Sequence, residues 1–372
     1  MKLFSCDNCR QLLFFENNRC MSCGMSVGYC LEAGRLVALK PIAEGESVYE
    51  IEVEGRPRRY RSCKNAAEGA CNWLIADESE ATYCRSCALT EIIPDLGDEG
   101  NRRAWTEIEA AKRRLLYTIF ALELPLCSKL EDAQSGLAFR FMNSTPESPV
   151  MTGHNEGIIT LNVAEADSAF RENMREKMGE AYRTVLGHLR HEIGHYYWDR
   201  LVRDRRPQLE KFREEFGDER ASYQEAIERH YDEGPPADWS DSYISAYATM
   251  HPWEDWAETW AHYMHLVDTL ETAKSHGLAV VVPGAGERIA TDALAFGEFE
   301  SLLQGWHAVT LALNSLSRSM GVKDVYPFVL SPRVQTKLRF VHDVIQGARS
   351  RSPQSKRPKK TKGASPAARA VR

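Results

Sequence analysis

Cysteine spacing constrains this chain most. Cys6-x2-Cys9 and Cys20-x2-Cys23 are two knuckles ten residues apart, with Gly24 following the second. Two such knuckles supply four thiolates at tetrahedral geometry around one zinc ion. The glycine permits the tight turn around the metal. Leu12 to Phe15 between the pairs reads as a strand, as a zinc ribbon requires. Cys63-x7-Cys71 and Cys84-x2-Cys87 form a second, looser set, so two structural zinc sites are expected within residues 1–95. Cys30 and Cys127 are left over as small buried hydrophobes, although Cys30 is near enough in sequence to replace a ligand in either set.

The cysteines are read as metal ligands because nothing points to an oxidising compartment. The N-terminal segment reaches a cysteine pair before a signal-peptide core can form. No apolar run approaches the ~18 residues that a membrane span needs. The expectation is a cytoplasmic protein without membrane contact. Net charge is −6, yet residues 344–372 hold nine Lys or Arg and no acid, which leaves −15 for residues 1–343. The folded part is therefore a poor nucleic-acid surface. Residues 347–372 read as a disordered basic tail, the one place where weak nucleic-acid contact is conceivable.

A turn-rich boundary at Pro94–Gly100 precedes a helical pattern over Asn101–Leu124. Gly136–Met142 alternates as a strand. Val150–Gly153 and Gly157–Asn162 read as two strands joined by a turn at residues 154–156. Helical spacing then covers 164–203, as one or two helices, and 208–230. Another helix starts at Pro252, which suits a first turn, and further helices end near Gln346. Leu278–Val282 suits a buried strand, and Pro283-Gly284-Ala285-Gly286 reads as a plain turn.

Within 164–203 lies His191-Glu192-Ile193-Gly194-His195. On a helix, residues four apart share a face, so both imidazoles can address one metal while Glu192 takes a proton from water. A third ligand must come from elsewhere. The metzincin continuation fails, because Trp198 stands at its glycine position and Leu201 at its third histidine. Asp199, one turn beyond His195, suits a hydrogen bond to an imidazole N–H better than ligation. His188 shares the face, but three successive turns of one straight helix converge poorly on an ion. Glu254-x-x-Ala257-Glu258 on the later helix fits better. Glu254 is the favoured ligand and Glu258 the partner that orients an imidazole, with Ala257 letting the helices approach. Glu258 and then His262 remain as alternative ligands. Oxyanion donors are sought among Tyr247, His251, His262 and Tyr263.

Cys71-Asn72-Trp73-Leu74, Arg190–Arg200, Phe216–Arg220, Gly234–Trp239, His251–His265 and Ser319–Phe328 together resemble a bacterial zinc-binding metallopeptidase family that carries an N-terminal zinc ribbon. The resemblance implies an α+β fold. A β-rich zinc-ribbon domain (1–95) would precede a mainly helical, zincin-like domain (101–346) with a small antiparallel sheet. It further implies one catalytic zinc beside two structural ones, and a peptide or protein substrate laid along the edge of strand 157–162. The family carries no particular substrate, and oligomeric state is not legible. The competing expectation is a zinc-binding module without turnover that engages a protein or nucleic acid through its ribbons and tail. Glu192 argues against it, since a structural metal needs no base beside it.

Overall fold

The computed structural model describes residues 2–43, 47–177, 183–281, 288–290 and 298–349. The turn at 283–286 and nearly all of the basic tail lie outside the described residues.

The N-terminal region is built from short antiparallel pairs. β1 (Phe4–Ser5) pairs with β2 (Leu12–Leu13), and β3 (Val27–Cys30) with β4 (Arg35–Ala38). β5 (Val48–Val53), β6 (Arg56–Ser62) and β7 (Leu74–Ala76) form a three-stranded sheet. Strands this short hold little by themselves. Their stability comes from the cysteine clusters and from an aromatic core. Phe15 meets Tyr29 and Tyr117 with ring centroids 5.0 and 5.3 Å apart, and Tyr29 meets Trp73 at 5.2 Å. Asn72 ties this core to the first ribbon, its Nδ2 donating to the Phe15 carbonyl at 2.6 Å. Cys30 sits apart from both clusters, buried with Val37, Ile51 and Tyr60.

Tyr117 belongs to α1 (Glu99–Ala121), so the N-terminal core continues into the helical region. α1 starts two residues earlier than its apolar pattern suggests. The Asp98 carboxylate accepts from the Gly100 and Asn101 amides at 2.7 and 3.0 Å, a cap of about 1 kcal/mol. The region before the boundary also contributes β8 (Thr90–Ile92) to the sheet of the helical domain. That sheet comprises β9 (Ala138–Met142), β10 (Gly153–Asn155) and β11 (Ile158–Asn162) with β8, in the order β10-β11-β9-β8.

Only the β10–β11 hairpin is antiparallel, as expected for the whole sheet; β9 runs parallel to both neighbours. The long connection through α1 makes the parallel β8–β9 pairing possible. The hairpin turns at Glu156 and Gly157, with φ of 48° and 83°. Positive φ at both central positions is what a tight two-residue hairpin requires. This moves His154 from the expected turn into the strand and makes β10, rather than 157–162, the sheet's edge.

The expected helix over 164–203 is two. α2 (Ser168–Lys177) and α3 (Val185–Trp198) are separate, and α3 widens into a π turn at Asp199–Arg203. The expected 208–230 helix is also two, α4 (Arg206–Phe216) and α5 (Tyr223–Glu233), parted after Gly217. α6 (Pro252–Ser275) follows, then the pair β12 (Ala279–Val281) and β13 (Arg288–Ala290), and finally α7 (Phe299–Ser319) and α8 (Pro332–Arg349). No helix among the described residues is long and apolar enough to cross a membrane.

Candidate metal centres

Both cysteine sets assemble. Cys6, Cys9, Cys20 and Cys23 converge, as do Cys63, Cys71, Cys84 and Cys87. In the first, Sγ atoms are 3.8 Å (Cys6–Cys23) and 3.6 Å (Cys9–Cys20) apart; in the second, Cys71 and Cys84 are 3.7 Å apart. Four sulfurs on zinc at about 2.3 Å would stand about 3.8 Å from one another, so the donors fit the ion. All ten cysteines are free thiols. Backbone amides of Trp73 and Cys84 donate to Cys71 and Cys63 sulfurs, both at 3.3 Å, which favours the thiolates.

The third centre depends on how closely α3 and α6 cross. Thr184 caps α3 through the Gly187 amide at 3.0 Å. His251 caps α6 by accepting the Trp253 amide at its Nδ1. Where the helices meet, a Cβ on Gly194 would stand 3.1 Å from Ala257 Cα and 3.2 Å from Trp260 Cβ. Only glycine opposite a small residue permits this approach. Trp256 Nε1 locks the crossing by donating to the Gly194 carbonyl at 2.8 Å, and Trp256 and Trp260 are fully buried around it.

The crossing brings His191, His195 and Glu254 together, one ligand atom from each lying within 4.8 Å of the others. His191 Nε2 is 3.2 Å from His195 Nε2 and 2.9 Å from Glu254 Oε2, and His195 Nε2 is 3.4 Å from Glu254 Oε1. Nitrogen and oxygen ligands at about 2.1 Å in a tetrahedron would be about 3.4 Å apart. Glu258 takes the other ring nitrogen, its Oε1 lying 2.6 Å from His191 Nδ1, while its Oε2 accepts from Ser245 Oγ at 2.6 Å. An Nδ1–H donated to Glu258 leaves a lone pair on Nε2. That lone pair faces a carboxylate oxygen and a second imidazole nitrogen, an arrangement only a shared proton or cation relieves. The donor set therefore fits a zinc ion.

Glu192 lies beside the trio, 8% exposed. Burial raises its carboxyl pKa, opposed by the neighbouring His191 and His195, which is the direction a general base needs. Asp199 does not hold His195, whose buried Nδ1 has no hydrogen-bond partner among the described residues; the Asp199 carboxylate instead accepts from Arg203, in the π turn, at 2.9 Å. His188 lies 3.5 Å from Glu165. His262 is bound to the Tyr326 hydroxyl at 2.7 Å and stays outside the trio.

Of the oxyanion candidates, His251 is committed to its cap and to the Ala221 carbonyl at 3.1 Å. Tyr263 lies against His342 at 2.9 Å. Tyr247 remains near the trio, its ring centroid 6.0 Å from that of His191.

Three residues that spacing did not reveal also stand here. Tyr223 donates to Glu254 Oε1 at 2.9 Å, Ser245 supports Glu258, and His154 on the edge strand has its ring centroid 6.2 Å from that of His195. A lone Tyr, Ser or His on a short element carries no periodic signal.

The chain thus joins two four-cysteine sets to a helical domain whose crossing helices offer two histidines and a glutamate. Residues 101–344 match the family described as "Putative zinc-binding metallo-peptidase", and residues 3–98 match a zinc-ribbon domain. The chain belongs to that metallopeptidase family. It is 43% identical over 345 residues to "Uncharacterized protein Rv2568c" of Mycobacterium tuberculosis (strain ATCC 25618 / H37Rv), across 93% of this chain and 95% of that one. "Uncharacterized protein Mb2598c" of Mycobacterium bovis is similar to the same extent. No solved structure matches the chain.

Proposed function

We propose that the protein hydrolyses peptide bonds at a gluzincin-type site. Carrying this reading is the meeting of His191, His195 and Glu254 with Glu192 buried beside them. These three residues would hold a zinc ion, which when bound supplies a Lewis acid that acidifies water and polarises the scissile carbonyl. Glu192 accepts the proton that the attacking water loses and returns it to the departing amine. Glu258, held by Ser245, fixes the His191 ring. The Tyr247 hydroxyl donates to the charge developing on the carbonyl oxygen. An extended peptide lies along the free edge of β10, pairing with its backbone. The two cysteine clusters hold structural zinc. Cysteines spent on zinc rather than on disulfides suit a reducing compartment, and we place the protein in the cytoplasm.

The test is metal content together with turnover. Wild type should hold about three zinc ions per chain and His191→Ala about two, by elemental analysis. Glu192→Gln should keep the metal and lose at least ~10²-fold in kcat on a substrate found by unbiased peptide profiling. A Glu192→Gln protein that turns over at the wild-type rate would sink the mechanism.

A further inference from the structure

We infer that Tyr223 is a positioning residue for Glu254, and that it couples the docking of α5 to metal binding at the helical site. The inference rests on the reading of His191, His195 and Glu254 as ligands. Glu254 is 2% exposed, and a buried carboxylate needs each oxygen satisfied. One oxygen faces His191, while the other receives the Tyr223 hydroxyl at 2.9 Å. The Tyr223-bound oxygen also lies 3.4 Å from His195 Nε2, so the hydroxyl leaves both oxygens facing the imidazoles and fixes the plane of the carboxylate.

Tyr223 is the first residue of α5, the most lightly packed helix near the site. Ala226 is the one buried side chain of α5. Glycines in the left-handed region precede and end it, Gly217 (φ 104°) and Gly234 (φ 73°), and Tyr223 is 38% exposed. Contacts that hold α5 converge on the site. The Tyr223 ring lies against His251 and Trp253, at 5.3 and 6.3 Å between centroids, and His230 lies against Tyr247 at 5.8 Å. Anything that orders Glu254 therefore holds α5, and whatever lifts α5 frees one oxygen of Glu254. Coupling of this kind is reciprocal.

Zinc affinity of the full chain, read by competition with a chromophoric chelator, and amide hydrogen exchange in α5 test this together. Tyr223→Phe keeps the ring and should weaken the third zinc about tenfold. Zinc should slow exchange in α5 of wild type and not of Tyr223→Phe. Tyr223→Phe affinity within twofold of wild type, or equal zinc protection of α5 in both proteins, overturns the proposal. So does weakening in Tyr223→Ala but not in Tyr223→Phe, which would assign the effect to the ring. If wild type holds no more zinc than His191→Ala, the metal reading itself falls and this inference with it.

Discussion

Each cysteine cluster offers four ligand atoms and the helical trio three, and the two kinds of site are built in opposite ways. Each cluster draws its ligands from 18 to 25 residues of chain, on loops with almost no structure of their own. The trio draws its ligands from two helices, His195 and Glu254 standing 59 residues apart in sequence, and those helices pack through Gly194, Ala257, Trp256 and Trp260. On the function proposed above, the clusters fold around their metal, whereas the trio is presented by a fold built elsewhere. On that proposal, one kind of site serves as scaffold and the other as a tool held by a scaffold.

The largest expected effect follows from this contrast. Cys84→Ser should lose one zinc and destabilise the whole chain by on the order of 5 kcal/mol. Cys84 is buried in the core that continues into α1, and its neighbour Cys87 lies 4.0 Å from the buried Glu109 of that helix. Thermal unfolding and elemental analysis check this. Unfolding of Cys84→Ser at the wild-type temperature would erase the distinction.

A smaller effect is expected on the other side. Glu254→Ala should remove the third zinc while unfolding within a few degrees of wild type, and Glu258→Ala should weaken that zinc about 10- to 100-fold without removing it. Chelator competition separates the two. A reversed order would exchange the roles of the two glutamates. A collapse of Glu254→Ala on heating would make the trio a scaffold as well.

The same contrast decides what was legible in the sequence. C-x-x-C spacing encodes a cluster directly, so eight cysteines could be sorted into two sets on spacing alone. The His191–His195 pair is equally local, and Ala257 hinted at the close crossing that presents Glu254. Tyr223, Ser245 and His154 were not legible, because each reaches the site through tertiary packing from a short element or a loop. The strand positions failed for a related reason. The Glu156–Gly157 turn is set by backbone conformation, and reading it two residues early hid His154 among loop residues. Parallel pairing of β9 was hidden as well, since β8 joins the sheet from beyond a helix.

His154 offers the smallest and most specific test of how β10 sits on the metal helix. Burial, followed by the His195, Lys129 and Arg203 charges, pushes its pKa down to about 3. Its Nε2 accepts from the Gly157 amide at 3.0 Å, which holds the ring neutral. An unfolded histidine titrates near 6.5, so between about 6.5 and 3 the unfolded chain binds a proton that the folded chain refuses. Stability contributed here is complete above pH 6.5 and falls as pH drops, by up to about 1.4 kcal/mol per pH unit. His154→Gln lacks that loss. Denaturant titrations at stepped pH should therefore show wild type and His154→Gln drawing together from pH 7 to pH 4, even where the variant is less stable at pH 7. Parallel curves would mean that β10 leaves His154 free to protonate, and that the edge strand stands away from His195.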